Sequence, residues 1–283
     1  MAIYGIQQGK GQLEMVWDSR PVEDVLNDLS FPDSLKQKLR LIAEIKQFTI
    51  DSLGMNPSKN YNAVYDQKGK TSLLVVSGCE PFKFKPKEWV FPILGAVPYK
   101  GFFDKKEAKA EIDRLRADGY DVDIYSPSGW STLGWFKDPI LSNMLKRDEG
   151  DLSSLIIHEL THGTLFIKND VDFNENLANF IGDKGAEKFL KYKFGIESKQ
   201  YKNYEEGKAD EKLYNEYILR STERLDSLYK NSLSEEKFIR KKKKDKMIMQ
   251  IVIGVNRLKL FDKKRYFTYS LQAFSEGNAF FMA

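Results

Sequence analysis

Two histidines occur among 283 residues, His158 and His162, and they stand four apart around a glutamate in the run LIIHELTHGTLF, residues 155–166. On a helix, positions i and i+4 share a face, so both imidazoles can offer nitrogens to one metal ion. Glu159 follows His158 by one position and is turned about 100° round the helix. Its carboxylate then stands beside the ion rather than on it, where it can take a proton from an attacking water. Random placement would put a sole histidine pair at this spacing around a glutamate in only about one chain in two thousand. The competing reading, a helix that merely contains these letters, has to accept that coincidence.

A hydrolytic zinc site has three protein ligands plus water. No further histidine and no second cysteine remains to supply the third. Twelve residues after His162 begins Asn174-Glu175-Asn176-Leu177-Ala178, where Asp172 or Asn174 can cap a second helix with Glu175 in its first turn. Ala178, one turn on from Glu175, is small enough to let that helix approach the first closely. Glu175 as ligand completes a His, His, Glu set for Zn2+. The alternative is that Glu175 only complements the helix dipole. Asp172 and Asp183 are then the nearest other carboxylates.

These residues need elements to hold them. Leu152, Leu155, Ile156, Ile157 and Leu160 would bury the histidine helix, with Gly150-Asp151 as its start and cap. Upstream, Val25, Leu26 and Leu29 have helical spacing after Pro21, and Leu35, Leu39, Ile42, Ile45 and Phe48 form one stripe ending at Gly54. From Tyr61 to about Lys100 the pattern turns to short β-rich runs broken by Gly and Pro. A helix follows to Gly119, then the strand DVDIYS, then PSGWSTLGWFKDP, which reads as an edge strand or a loop just before the histidine helix. An exposed edge there would suit an extended peptide added as a further strand.

Beyond Phe194 the chain reads as helical. Leu213, Tyr217, Leu225 and Leu228 form a seam, Arg240–Lys244 a basic, solvated face, and MIMQIVIGVNRLKLF an inward-packed stretch. The expected class is α+β, a small mixed sheet packed on the active-site helix and then a largely helical half. We expect a single unit over 1–283, with an α/β part at 1–145 and a helical part at 146–283 that carries the zinc site.

Composition narrows the function classes. Hydrophobic content of 41% and aromatic content of 13% suit a globular chain rather than a disordered one. The formal charge of +4, from 45 basic and 41 acidic residues, is too balanced to imply a nucleic-acid partner. A lone Cys79 permits no internal disulfide and reads as a small buried hydrophobe. No apolar run is long enough to span a bilayer, and the N-terminal stretch is too polar for a secretory signal.

The run from Leu155 to Phe180, LIIHELTHGTLFIKNDVDFNENLANF, resembles the bacterial family called putative aminopeptidases. So do GQLEMVWDSRPVEDVL, LKQKLRLIAEIKQFTIDSLG, EWVFPILGAVPYKGFFD, EAKAEIDRLRADGYDVDIY and STLGWFKDPILSNML, in the family's order. The resemblance covers most of residues 9–195. It implies a zincin-like, gluzincin-type metallopeptidase in which His158, His162 and Glu175 hold zinc and Glu159 is the catalytic glutamate. It also implies a peptide or protein substrate, and a natural protein that is exported, periplasmic or membrane-anchored. Membrane contact would come only through an N-terminal anchor absent from this chain. The family's N-N-A-F-F-like block is matched by Gly277-Asn278-Ala279-Phe280-Phe281, after which a further helical tail is expected and not found.

Peptide hydrolysis also needs a donor for the developing oxyanion. With no histidine left, Tyr99, Tyr266 and Tyr269 are the candidates, each competing with a structural aromatic role. An aminopeptidase further needs an anion for the substrate's ammonium, for which Glu80 and Asp104 are the candidates. The rival readings are a zinc endopeptidase and a peptide-binding module that keeps its metal without turnover. The intact Glu159 weighs against the second.

Overall fold

The computed structural model describes residues 15–69, 73–91, 95–126, 138–168 and 170–282. Of the stretch expected as an edge strand or loop, 127–139, only Asp138 and Pro139 are among them. In chain order the elements are β1 (Arg20–Pro21), α1 (Val22–Asn27), α2 (Asp33–Leu53), β2 (Ala63–Tyr65), β3 (Leu74–Cys79), β4 (Trp89–Phe91), β5 (Gly95–Val97) and β6 (Tyr99–Phe102). They continue as α3 (Lys105–Ala117), β7 (Asp121–Tyr125), β8 (Ile140–Leu141), α4 (Glu149–Thr164), α5 (Val171–Phe194), α6 (Lys199–Asn231), α7 (Lys237–Val255) and α8 (Lys263–Ser270). The class is α+β with small sheets and a largely helical second half. The strands, two to six residues long, divide into three sheets among the described residues, β1-β2-β8, β6-β3-β7 and β4-β5. Among the described residues, no helix is long and apolar enough to cross a membrane.

Neither of the two compact units is a continuous piece of chain. One takes residues 15–69, 138–168 and 170–205 of those described, and it contains His158, His162 and Glu175. In it β1 pairs antiparallel and β8 parallel with β2, so this small sheet is mixed. The stripe Leu39, Ile42, Ile45 and Phe48 of α2 is buried, and α2 stops where Gly54 takes φ +68°, a left-handed cap that glycine adopts without strain. Helix α4 packs on both α2 and α5.

The close approach of α4 and α5 is set by small residues. Ala178 and Ala186 are fully buried, as the expected role of Ala178 requires. The tighter contacts are at two glycines. A Cβ on Gly182 would lie 2.9 Å from the Ser154 carbonyl oxygen and 3.1 Å from His158 Cβ, and one on Gly185 would lie 2.9 Å from Ile157 Cγ2. Each glycine costs a helix interior about 1 kcal/mol relative to alanine. Here the cost allows backbone-to-backbone contact.

The helix starts differ from the sequence reading. Asp148, not Gly150-Asp151, caps α4, its side chain accepting from Asp151 N–H at 2.8 Å. Gly150 lies one position inside because the Tyr204 ring fills the space where a side chain would begin. Asp170, rather than Asp172 or Asn174, caps α5 by accepting from Phe173 N–H at 3.1 Å.

The second unit takes 73–91, 95–126 and 206–282 of the described residues. Its sheet β6-β3-β7 is antiparallel throughout, and α3 buries Ala108, Ile112 and Leu115 in a cluster with Val76, Trp89, Phe102 and Val122. Cys79 is fully buried, and burial pushes its thiol up to about 11. Its helical part closes on Leu225, Tyr229, Ile248, Ile251, Val252, Phe280 and Phe281. Leu213 is not on this seam; it is exposed, and Tyr214 one position on is buried instead.

The basic run is also a partial correction. Lys241, Lys242 and Lys243 face solvent as expected, but Lys244 is buried. It pairs with Asp121 and donates to the Pro81 carbonyl at 2.9 Å. In a row of five like charges nothing local marks the one that points inward.

Asp123 on β7 and Glu276 hydrogen-bond carboxyl to carboxyl, beside Tyr269. Burial, then the charge of Asp123, raises Glu276 to about 8. The folded chain therefore holds a proton that the unfolded chain has released, and stability falls as pH rises from the ordinary glutamate range to about 8. Glu276→Gln keeps the hydrogen bond and removes the charge. The expected result is a difference in melting temperature between variant and parent that grows from pH 5 to pH 8 in the variant's favour, then levels off. Parallel curves across that range would show that the pair shares no proton.

Candidate metal centre

His158 and His162 occupy adjacent turns of α4, and Glu175 reaches them from the second turn of α5, because the helix starts at Val171 rather than at the later cap the sequence suggested. The geometry follows from the contacts already described. Gly182, seven residues on from Glu175 and so on the same face of α5, rests against His158. That contact fixes both the distance and the rotation at which Glu175 arrives.

The three side chains converge. His158 Nε2 and His162 Nε2 are 3.2 Å apart, His158 Nε2 is 3.5 Å from Glu175 Oε2, and His162 Nε2 is 3.5 Å from Glu175 Oε1. Among the described residues they form a group whose ligand atoms all lie within 4.8 Å of one another and could hold a metal ion. Ligands at about 2.0–2.2 Å round a tetrahedral centre stand about 3.3–3.6 Å apart, and the two imidazole nitrogens, each with a different carboxylate oxygen of Glu175 at 3.5 Å, are close to that spacing. Two imidazole nitrogens and a carboxylate brought this close, each with a lone pair to give, need a cation or a proton between them. Burial holds His162 below its ordinary pKa, with Glu175 opposing the shift and His158 adding to it. This favours the neutral ring, which is the ligating form.

The other carboxylates have different partners. Asp183 accepts from Ser154 Oγ at 3.1 Å and from Tyr204 Oη at 3.3 Å, and Asp172 is outside the converging group. Tyr99, Tyr266 and Tyr269 belong to the unit without the histidines, where Tyr266 stacks on Tyr214 at 4.7 Å and Tyr269 on Phe280 at 5.2 Å. Glu80 and Asp104 belong to it as well. Asp104 caps α3 by accepting from the N–H groups of Lys106 and Glu107.

Two residues stand near the centre in roles that the sequence reading did not give them. Tyr61 is buried with φ +62°, and its hydroxyl has no hydrogen-bond partner. Burial raises its phenol well above the ordinary range, and the charges of Glu159 and Asp138 add to that. Its backbone is fastened to Asp138, with Tyr61 N–H donating to the Asp138 carbonyl at 2.7 Å and Asn60 exchanging side-chain bonds with Asp138 at 3.2 Å. A left-handed tyrosine is a strained conformation of the sort concentrated at functional sites. Nothing in the letters around Tyr61 signals it.

The second is Asn174, next to Glu175 and buried. Its amide clasps one residue of the α4–α5 loop: Ile167 N–H donates to Asn174 Oδ1 at 2.8 Å, and Asn174 Nδ2 donates to the Ile167 carbonyl at 2.7 Å. The sequence suggested a cap here, the commonest use of asparagine at a helix start.

No curated protein and no solved structure matches the chain. A family model, described as Putative aminopeptidase, matches residues 3–280, which is nearly the whole sequence and includes the histidine helix and Glu175. The chain belongs to the putative aminopeptidase family.

Proposed function

We propose that the chain is a zinc-dependent peptidase, and within that class an aminopeptidase, with His158, His162 and Glu175 as the zinc ligands and Glu159 as the general base. The observation that carries the proposal is the set of separations, 3.2, 3.5 and 3.5 Å, between the three ligand groups. They lie close to the ligand spacing of tetrahedral zinc, with one carboxylate oxygen of Glu175 beside each imidazole. The crossing of α4 and α5 at Gly182 supports the zincin-like arrangement that this reading entails. The family description supports peptide hydrolysis and the amino-terminal mode.

Zinc held by these three residues would supply a Lewis acid that polarises the scissile carbonyl and lowers the pKa of water. The protein's own groups do the rest. Glu159, on α4 but turned away from the two histidines, accepts the proton of the attacking water and hands it to the leaving amine. Glu175 supplies one negative charge to a site whose other two ligands are neutral. The packing of α5 against α4 holds that charge in place before substrate arrives.

Metal analysis of the dialysed protein is expected to find close to one equivalent of zinc per chain, and a chelator should abolish hydrolysis of short peptides. No zinc uptake at excess metal and neutral pH would overturn the assignment. The amino-terminal mode has its own test. Acetylating the substrate's N-terminus should stop cleavage, and equal turnover of blocked and free peptides would make the enzyme an endopeptidase.

A further inference from the structure

Immediately after α4 the chain presents Leu165, Phe166 and Ile167, which are 50%, 44% and 43% exposed. Three large apolar residues in a row on a surface lose stability in water and are kept where they meet something. A loop that merely frays could hide them part of the time. This one is pinned: both backbone polar groups of Ile167 are taken by the buried amide of Asn174. Leu165 N–H also continues the helix to the Thr161 carbonyl at 2.9 Å, and Thr164 Oγ1 accepts from Asn56 N–H at 3.2 Å.

The shelf is fastened to the metal-holding residues at both ends. Leu165 follows His162 by three positions, a helical rise of about 4.5 Å. The residue that clamps Ile167 is the one before Glu175. An extended peptide advances about 3.3–3.6 Å per residue, so one with its carbonyl at the three ligands has its next side chains within reach of the shelf. Phe173 and Phe180 are exposed too, but they lie on the face of α5 turned away from α4 and are not part of it.

We infer that Leu165, Phe166 and Ile167 form the specificity surface of the site, taking a large apolar side chain of a peptide substrate next to the bond that is cut. The inference rests on the peptidase reading above and adds the substrate class. Other occupants fit less well. A membrane surface would want a basic collar, and between Leu165 and Asp170 the only cation is Lys168, with Asp170 nearby. Three residues also fall far short of the area a stable dimer buries.

Two hexapeptides test it, one with phenylalanine and leucine as its first two residues and its twin with serine and aspartate there. Binding is read by calorimetry on the zinc-loaded Glu159→Gln chain, and kcat and KM on the parent. The apolar peptide should bind at least tenfold tighter than its twin. Phe166→Ser and Ile167→Ser, both at exposed positions, should weaken the apolar peptide about tenfold, leave the twin unchanged and raise KM with kcat retained. Equal binding of the twins, or equal loss for both in the variants, would overturn the shelf while leaving peptide hydrolysis intact. A zinc-loaded chain that neither binds nor cuts either peptide would overturn the peptidase reading, and the shelf with it.

Discussion

Glu159→Gln is expected to keep its zinc and to lose hydrolysis by about 10²- to 10⁴-fold, the usual cost of removing a general acid–base group. Glutamine preserves the length of the side chain and its hydrogen-bonding reach but cannot take a proton. Glu175→Gln should behave in the opposite way. It replaces a carboxylate, whose two oxygens each lie 3.5 Å from one of the histidines, with a weaker neutral amide, so zinc affinity falls first. Activity should then return, at least in part, when zinc is added, and that recovery is impossible for Glu159→Gln. Metal analysis and a zinc titration of the peptidase rate separate the two. If Glu159→Gln loses the metal while Glu175→Gln keeps both metal and rate, the ligand set is wrong.

Gly182→Ala should cost about 1–3 kcal/mol, the usual penalty for inserting a methyl group into a filled interior, and should weaken zinc binding as well. The new methyl would meet the Ser154 carbonyl oxygen and the Cβ of His158, neither of which can swing aside like the end of a long side chain. To make room, α5 has to retreat from α4, and Glu175 retreats with it. The control is Gly207→Ala in α6, where nothing lies within 4 Å of the added atom. There the better helix propensity of alanine should stabilise the chain by up to about 1 kcal/mol. Urea midpoints and zinc titrations of the two variants, measured side by side, give the comparison. Equal stabilisation by both would mean that the two helices do not touch at Gly182.

The centre was legible in the sequence because its logic is local. A period of 3.6 puts His158 and His162 together whatever the rest of the chain does, and the search for one more donor leads to Glu175, which the fold brings to them. The stripes of α2 and α7 were legible for the same reason. What could not be read depends on residues distant in sequence. Gly150 looks like a helix start until Tyr204, fifty-odd positions later, is seen filling the space beside it. Lys244 looks like its neighbours until Asp121 arrives from a strand. Asn174 is a plausible cap in any alphabet of local signals, and only the loop it clasps shows its use. The left-handed Tyr61 gives no warning, since its conformation is imposed by the fastening to Asp138.

The interleaving of the two units matters while the protein is being made. Strands β3, β6 and β7 leave the ribosome early, but the side chain that ties them off is Asn278. It donates to the Glu80 carbonyl at 2.9 Å, accepts from Tyr229 Oη at 2.6 Å, and its backbone N–H donates to Asp121 at 2.7 Å. Roughly 150 residues separate the end of β7 from Asn278, so at about 5–20 residues per second the sheet waits roughly 8–30 s for its last partner. During that interval Asp121 waits first for Lys244 and then for Asn278, and Phe82 and Phe84 stand open until the helical cluster that they pack against has been made. The nascent chain is therefore a better client for a holding chaperone than the finished one. Slowing translation anywhere between residues 126 and 278 should lengthen that dependence, whereas slowing it before residue 73 should not.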